Sequence, residues 1–495
     1  MITFTIALLL LVVGYLTYGK LMTKLFGVDE PRPTPAIKHP DGVDFVPMPA
    51  WKAYMIQFLN IAGTGPIFGA IMGARFGVSA YLWIVFGCIF IGAVHDFMVG
   101  MLSIRRNGRS LPEIIGQFLG NGMQYFSVGF SILLLLLVGV VYIYTPAELL
   151  TGIFPSIGAD KKTGMIIWIV VIFAYYILAS SVSIDKIIGR IYPLFAAILL
   201  FMAVGIMIAL YVHQPAIPEI FDGIKNLNPD ADEPVFPILF VSIACGAVSG
   251  FHATQSPIIA RCVTNERQGR AVFYGAMITE GIVAIIWAAA AITFYQENGY
   301  ADAAGNGYSA GYIVDFMSKT WLGRIGGLLA IVGVIVCPIT SGDTAFRSAR
   351  LIVADRIHLK QGTVRNRLFI CVPMFLVAFG ILMYSLSDKD GFETIWRYFA
   401  WANQTLATFT LWAIAAFLYR TKGYWHYVAL LPAMFMTMVV TTYIFVAPEG
   451  FGLLEYYNWV LVGAAVLTLV LSKVFYSRER KIKETSPIET SPVEK

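Results

Sequence analysis

About 13 apolar runs, each roughly 20 residues long, alternate with shorter polar connections, near 2–18, 51–73, 77–101, 123–147, 164–182, 190–213, 234–258, 271–295, 323–341, 368–386, 395–419, 424–446 and 456–475. A helix needs about 20 apolar residues to cross a ~30 Å hydrocarbon core. The pattern therefore predicts an all-α integral membrane protein of about 13 transmembrane helices. The first run, ITFTIALLLLVVGYLTYG, has no basic residue ahead of it and no small-residue cleavage site behind it. Lys20 and Lys24 follow it instead, so it reads as a retained anchor rather than a cleaved leader. The longest connections are 19–50, 214–233, 296–322 and 342–367, too short for a large extramembrane domain. After Ser477 the chain turns polar, with Ser-Pro and Glu-Thr repeats, and 477–495 is predicted to be a disordered tail.

Charge sets the sidedness of this pattern. Arg105, Arg106 and Arg109; Lys186 and Arg190; Arg261, Arg267 and Arg270; Arg347, Arg350, Arg356, Lys360, Arg365 and Arg367; Arg420 and Lys422 all fall in alternate connections, as does the basic tail from Lys473 to Lys483. The other connections carry acids, among them Glu219, Asp222, Asp230, Asp232 and Glu233, with few bases such as Lys161, Lys162, Lys225, Lys319 and Lys389. Basic loops stay cytoplasmic, which predicts an outside N-terminus and an inside C-terminus. The 495 residues are 58% hydrophobic and 13% charged, against about a quarter charged in a soluble chain. Mean hydropathy is +0.72. The net charge of +5 thus belongs to topology and membrane lipid, not to nucleic acid. Cys88, Cys245, Cys262, Cys337 and Cys371 lie in or beside apolar runs without metal or disulfide spacing, and read as small packing residues.

Two runs cannot be continuous helices. The second contains IAGTGPIFGAIMG, where Gly63, Thr64, Gly65 and Pro66 follow one another; the seventh contains IACGAVSGFHATQSPII, with Gly246, Gly250 and Pro257 around Ser249, His252, Thr254 and Gln255. Proline lacks an N–H and clashes with the preceding turn, and unwound backbone inside a bilayer is tolerated only in protein or along a cavity. With the first run set aside, the breaks fall in helices 1 and 6 of the remaining twelve, which cross in opposite directions. That is the arrangement of two inverted five-helix repeats, as in LeuT-type transporters. The expected organisation is 1–50, an anchor helix and cytoplasmic loop; 51–213, the first repeat; 234–419, the second repeat; 420–476, two further helices; and the tail. Half-helix N-termini suit a carboxylate, which places substrate against Gly63, Thr64, Gly65 and Pro66 and against Gly246, Ser249, Gly250, Phe251, His252 and Gln255. Tyr142 and Tyr144 are either interface anchors or lids over that substrate.

Ionisable groups inside a membrane are costly and point to function. Glu280 reads as a proton carrier or as a structural hydrogen bond. His95 and Asp96, in GAVHDFMVG, relay protons or pair with the arginines of SIRRNGRS. His252, placed within the second break, reads as a cavity-lining residue and as a candidate to carry or respond to the proton. In CPITSGDTAFRSARL, Thr340, Ser341 and Asp343 either cap a helix or join carbonyls near Ala62 and Gly65 in an all-oxygen cation site. Asn403 and Gln404, in WANQTLA, line the pathway or bond across helices. No metal-ligand spacing appears.

In order along nearly the whole chain, IAGTGPIFGAIMG, GAVHDFMVGMLSIRRNGRSLPEII, CGAVSGFH, SGDTAFRSARLIVAD and WANQTLA resemble the carbon starvation protein (CstA) family. The resemblance implies a carrier taking up nutrients during carbon limitation, short peptides or, for some members, pyruvate by proton symport, within the amino acid–polyamine–organocation superfamily. The expected function is alternating-access import of a small carboxylate or short peptide coupled to protons or sodium, with no cofactor. A channel would need a filter-like motif, and none is present. An enzyme would need a concentrated acid/base, nucleophile or metal cluster. An ATP-driven pump would need GxxxxGK[ST]. A nutrient sensor on a transporter scaffold is the remaining alternative.

Overall fold

The computed structural model describes residues 1–181, 188–229, 233–302, 307–387 and 391–485. Lys186, Asp230, Asp232 and Lys389 lie outside them. Among the described residues the regular secondary structure is helical, joined by loops and accompanied by two isolated bridges, Met48–Val263 and Ala301–Gly307.

The helices follow the apolar runs: α1 Ile2–Phe26, α2 Ala50–Ile61, α3 Gly65–Phe76, α4 Val78–Arg105, α5 Leu111–Leu119, α6 Asn121–Ile153, α7 Lys161–Ser181, α8 Ile188–His213, α9 Val235–Ser242, α10 Gly250–Ala260, α11 Glu266–Asn298, α12 Ala310–Arg356, α13 Val364–Ser385, α14 Gly391–Lys422, α15 Tyr427–Val446 and α16 Tyr457–Thr485. Ten stretches are individually long and apolar enough to cross a membrane, or 11 when α2 and α3, bent by 53° at their break, count as one. The difference from the expected 13 has two causes. The stretch 391–446 is a hairpin of two helices, its antiparallel course fixed by Trp401 Nε1 donating to Val440 O and Trp412 Nε1 to Thr437 Oγ1. The run at 234–258 is two short helices, α9 and α10, separated by Ile243–Ser249.

Small residues set the packing. A Cβ on Gly92 would collide with Ala247 O, and one on Gly100 would strike the Phe273 ring. Replacing either glycine forces α4 away from its neighbours. The α1 anchor lies on the outside of the bundle, with Gly14 against Ile89 and Gly19 against Tyr274. The last helix presents Trp459, Val462, Val466, Leu469, Val470 and Val474 outward, an apolar surface suited to lipid.

The arginine-rich connections gather at one end of the bundle. Arg105 donates to Gly27 O and to both carboxylate oxygens of Glu266, Arg261 Nε donates to Gly108 O, and Arg350 Nη2 donates to Asp44. At the other end Glu219 accepts the N–H groups of Ile2 and Thr3. The disorder expected from residue 477 onward is corrected as far as Thr485, to which α16 runs; the rest of that expectation, 486–495, lies outside the described residues. Glu479 explains the extension. It is 1% exposed and takes two hydrogen bonds from Arg420, at 2.6 and 2.8 Å, which tie the end of α16 to α14.

Candidate functional site

The two breaks touch each other at the centre of the bundle. A Cβ on Gly65 would collide with the Cys245 side chain, and Gly246, at φ +91°, lies against Pro66 and Ala284. Only glycine adopts that φ without strain, and a Cβ at residue 246 would also strike the Ala284 methyl on α11.

The first break is short. Helix α2 ends at Ile61, Ala62 N donates to Phe58 O, and the N–H groups of Ile67 and Phe68 both return to Thr64 O. Among the described residues the N–H groups of Gly63, Thr64 and Gly65 have no hydrogen-bond partner. Around them lie fully buried polar atoms in the same condition: both side-chain atoms of Asn60, Thr64 Oγ1 and the Tyr142 hydroxyl. Tyr142 is seated on the break itself, since a Cβ on Gly63 would lie 2.5 Å from its oxygen, and its ring meets Phe251 edge-on at 5.9 Å. Tyr144, two residues on and across the helix, stacks on Phe392 at 4.0 Å instead.

The second break is longer, Ile243 to Ser249, and differently furnished. The Ser249 hydroxyl and the Phe251 N–H both donate to Asn403 Oδ1, at 3.0 and 2.7 Å. Gln404 Nε2 donates to Phe240 O at 2.7 Å, so adjacent amides of α14 pin both halves of the broken helix. The expectation that a substrate carboxylate meets the N–H groups around Ser249–Phe251 must be corrected at Phe251, whose donor is already taken. Gln255 spends its Nε2 on Thr254 Oγ1, and its Oε1 is unpartnered.

The four ionisable residues singled out in the sequence join into one line. His95 Nδ1 lies 2.8 Å from Asp96 Oδ1, and His252 Nδ1 lies 3.1 Å from Asp96 Oδ2. His252 Nε2 lies 3.4 Å from Glu280 Oε2, within ion-pair reach but outside hydrogen-bond geometry. All four side chains are wholly buried, on α4, α10 and α11. Among the described residues the arginines of the following loop do not pair with Asp96: Arg105 is committed to Glu266, Arg106 donates to Gln117, and the ion-pair partners of Asp96 are His95 and His252. Cys245, His252 and Glu280 also bring a thiol, an imidazole nitrogen and a carboxylate oxygen within 4.8 Å of one another, a grouping drawn from three elements that spacing does not reveal. The Cys245 sulfur is engaged by Ser249 and Asn403, at 3.6 and 3.7 Å.

The proposed cation ligands divide. Ser341 Oγ donates to Leu59 O at 2.9 Å and the Cys337 thiol to Ala62 O, so this stretch of α12 satisfies the carbonyls freed by the first break. Thr340 turns its hydroxyl to Cys337 O on its own helix. Gly65 belongs to the Cys245 contact. Asp343 accepts from Tyr192 at 3.0 Å, facing α8 rather than α2. Two residues were missed in the sequence. Asn60, an amide in the apolar run just before IAGTGP, carries the signal that drew attention to WANQTLA. Asp44 lies in a polar loop and carries no such signal.

Asp44 is buried beneath Arg347 and Arg350, at 3.6 and 3.3 Å. Burial alone raises its carboxyl; the guanidinium groups of Arg350, Arg347, Arg261 and Arg367 overcome that and hold it below the usual carboxylate range.

Two touching helix breaks, one with free backbone donors and one beside a buried chain of ionisable groups, define a secondary transporter. The fold agrees. A mutant manganese transporter from Eremococcus coleocola superimposes with a TM-score of 0.56 at 11% identity, covering 90% of this chain and 99% of its own. MhsT in complex with L-phenylalanine gives 0.55 at 14% identity, covering 83% and 98%. The profile of the carbon starvation protein CstA family matches residues 1–159, 152–311 and 295–443, and the chain belongs to that family. An uncharacterized membrane protein of Haemophilus influenzae is 44% identical over 340 residues, 60% of this chain and 92% of its own. The peptide transporter CstA of Campylobacter jejuni is 25% identical, across 88% and 78%. The pyruvate/proton symporter BtsT of Escherichia coli is 29% identical, across 53% and 45%.

Proposed function

We propose that this carrier imports a small carboxylate, pyruvate or a short peptide, by proton-coupled alternating access, with the arginine-rich end in the cytoplasm of a bacterial inner membrane. The observation that carries the reading is the buried line of ionisable groups from His95 through Asp96 and His252 to Glu280 beside the breaks, its last link an ion-pair contact. Ion coupling needs a site whose occupancy changes with the conformation of the substrate site. His252 is on the helix that begins at the second break, so movement of α10 changes its distance from Glu280 on α11. The substrate carboxylate is assigned to the N–H groups of Gly63, Thr64 and Gly65, with Asn60 and Tyr142 as side-chain partners. A helix N-terminus favours such an anion through its dipole and unpaired donors.

The second reading is sodium coupling, favoured by one observation: Ser341 and Cys337 meet the Leu59 and Ala62 carbonyls, so an ion that took the place of the Cys337 thiol would find the Ser341 hydroxyl and those two carbonyl oxygens together. Proteoliposomes decide between the two. Accumulation of labelled pyruvate or labelled dialanine under an imposed proton gradient, and not under a sodium gradient, is the expected result. Accumulation driven by sodium alone transfers the coupling to the Ser341 site. Absence of accumulation under both, from folded protein, removes these substrates.

A further inference from the structure

Helix α12 continues from Ser341 at the first break toward the arginine-rich end, and Arg347 follows six residues later, about 9 Å along the axis. Ser348 Oγ donates to Thr254 O on α10 at 2.8 Å, so this part of α12 closes against the second broken helix below His252. Arg347 is 4% exposed. Its Nη2 reaches Ala179 O at 3.4 Å, while among the described residues its Nε and Nη1 have no hydrogen-bond partner. Its nearest anion, Asp44 Oδ1, stands 3.6 Å from Nη1, too far for a hydrogen bond. Arg350, 1% exposed, donates to the same Asp44 oxygen at 3.3 Å.

Asp44 itself is held by a loop, not by a helix. Asp41 Oδ1 accepts the N–H groups of Val43, Asp44 and Phe45, at 2.8, 3.0 and 2.8 Å, and Met48 N donates to Cys262 O at 3.0 Å. The turn between Asp41 and Met48 thus inserts one carboxylate between α10 and α12. A buried guanidinium is stable only beside an anion, and arginine is the residue suited to planar carboxylates.

We propose that Arg347, backed by Arg350, is a second carboxylate-binding station on the path to the cytoplasm, and that Asp44 is its resident stand-in. When the 41–48 turn lifts, the carboxylate of the substrate takes the place of the Asp44 carboxylate and leaves the central site in the same step. Return of Asp44 expels it. The ligand class, a small carboxylate, rests on the function proposed above.

The test is chemical rescue on the purified full chain. Asp44→Ala strips Arg350 of its bonded carboxylate and leaves Arg347 only the charge of Asp343, one turn back on its own helix, and it is expected to melt several degrees below the wild type. Sodium pyruvate or sodium acetate should recover part of that loss, sodium chloride at equal ionic strength should not, and Asp44→Ala/Arg347→Gln should not respond. Asp44→Asn, which preserves the shape of the side chain, serves the same comparison where Asp44→Ala does not fold. Equal response to acetate and chloride overturns the station. In inside-out vesicles, Arg347→Gln should raise the half-saturation for pyruvate on the exposed face about tenfold, as loss of a charge-assisted pair implies, and leave that of the opposite face unchanged. Equal shifts on both faces also overturn it. Rescue by acetate in a protein that transports neither pyruvate nor dialanine keeps the station and removes the proposed substrates, so the two failures are distinguishable.

Discussion

The first break and the second break interrupt the same kind of apolar run, yet they end in opposite states. At the first, the N–H groups of Gly63, Thr64 and Gly65 are free, while the carbonyls of Leu59 and Ala62 are met by Ser341 and Cys337. At the second, the Phe251 donor is closed by Asn403, and the titratable residue His252 follows one position later. One break keeps its donors open; the other is capped by the protein and is followed by a buried ionisable group. On the function proposed above, anion binding and proton coupling are divided between two helix interruptions, because a bilayer allows free backbone groups only where protein shields them.

The largest expected effect comes from filling the contact between the breaks. Gly65→Leu places side-chain carbon where Cys245 stands, and uptake should vanish while the protein still reaches the membrane. Gly129→Leu is the matched control, since a Cβ at Gly129 meets nothing within 4 Å. Equal uptake by the two variants would break the comparison at its base.

Next come the residues proposed above to couple transport to protons. With Glu280→Gln or His252→Ala, substrate should still exchange across the membrane, but accumulation driven by a proton gradient should disappear. Exchange and accumulation lost in equal proportion would return both residues to a structural role. A smaller effect is expected from Asn403→Leu. It strips the acceptor from Phe251 N–H and Ser249 Oγ in a buried place, a loss of about 1–3 kcal/mol, read as a lower melting temperature. Asn403→Asp keeps the acceptor and should melt higher than Asn403→Leu. Because the capped break is assigned no part of the carboxylate, substrate half-saturation should stay near wild type in both. A tenfold weaker half-saturation in Asn403→Leu would erase the distinction between the breaks.

How much of this was readable in advance follows from the range of each signal. The breaks were legible because Gly63-Thr64-Gly65-Pro66 and Gly246 act on their own backbone. The ionisable residues were legible singly, because a charge in an apolar run is costly wherever its partner lies. Their joining was not, since His95–Asp96, His252 and Glu280 come from three helices whose rotation is set by packing. The same reason hid the capping of Phe251 by Asn403, 152 residues away. Asp44 was hidden more deeply: a carboxylate in a polar loop looks solvated until Arg347 and Arg350 are seen to bury it. The tail misled because composition reports average polarity, whereas one pair, Arg420–Glu479, extends the helix.

A third helix start shows what an anion does at such a place, and it carries the smallest expected effect. At the beginning of α1 the carboxylate of Glu219 accepts Ile2 N at 2.8 Å and Thr3 N at 2.6 Å, beside the Met1 ammonium. It is the protein's own version of the contact assigned to substrate at Gly63–Gly65. Burial works against the charge, but the Met1 ammonium and these hydrogen bonds win and lower the Glu219 carboxyl to about 2. A depressed acid contributes stability that is fully present above its unfolded value, about 4.3, and is lost as pH falls through the folded one. The melting temperature of the wild type should therefore decline between about pH 4.3 and 2 by more than that of Glu219→Gln. At neutral pH the variant should lose about 0.3–1 kcal/mol, the usual worth of an anion at a helix start. Parallel pH curves for the two proteins would mean that a carboxylate gains nothing from a helix start in this fold, and the assignment of the substrate to the first break would lose its physical ground.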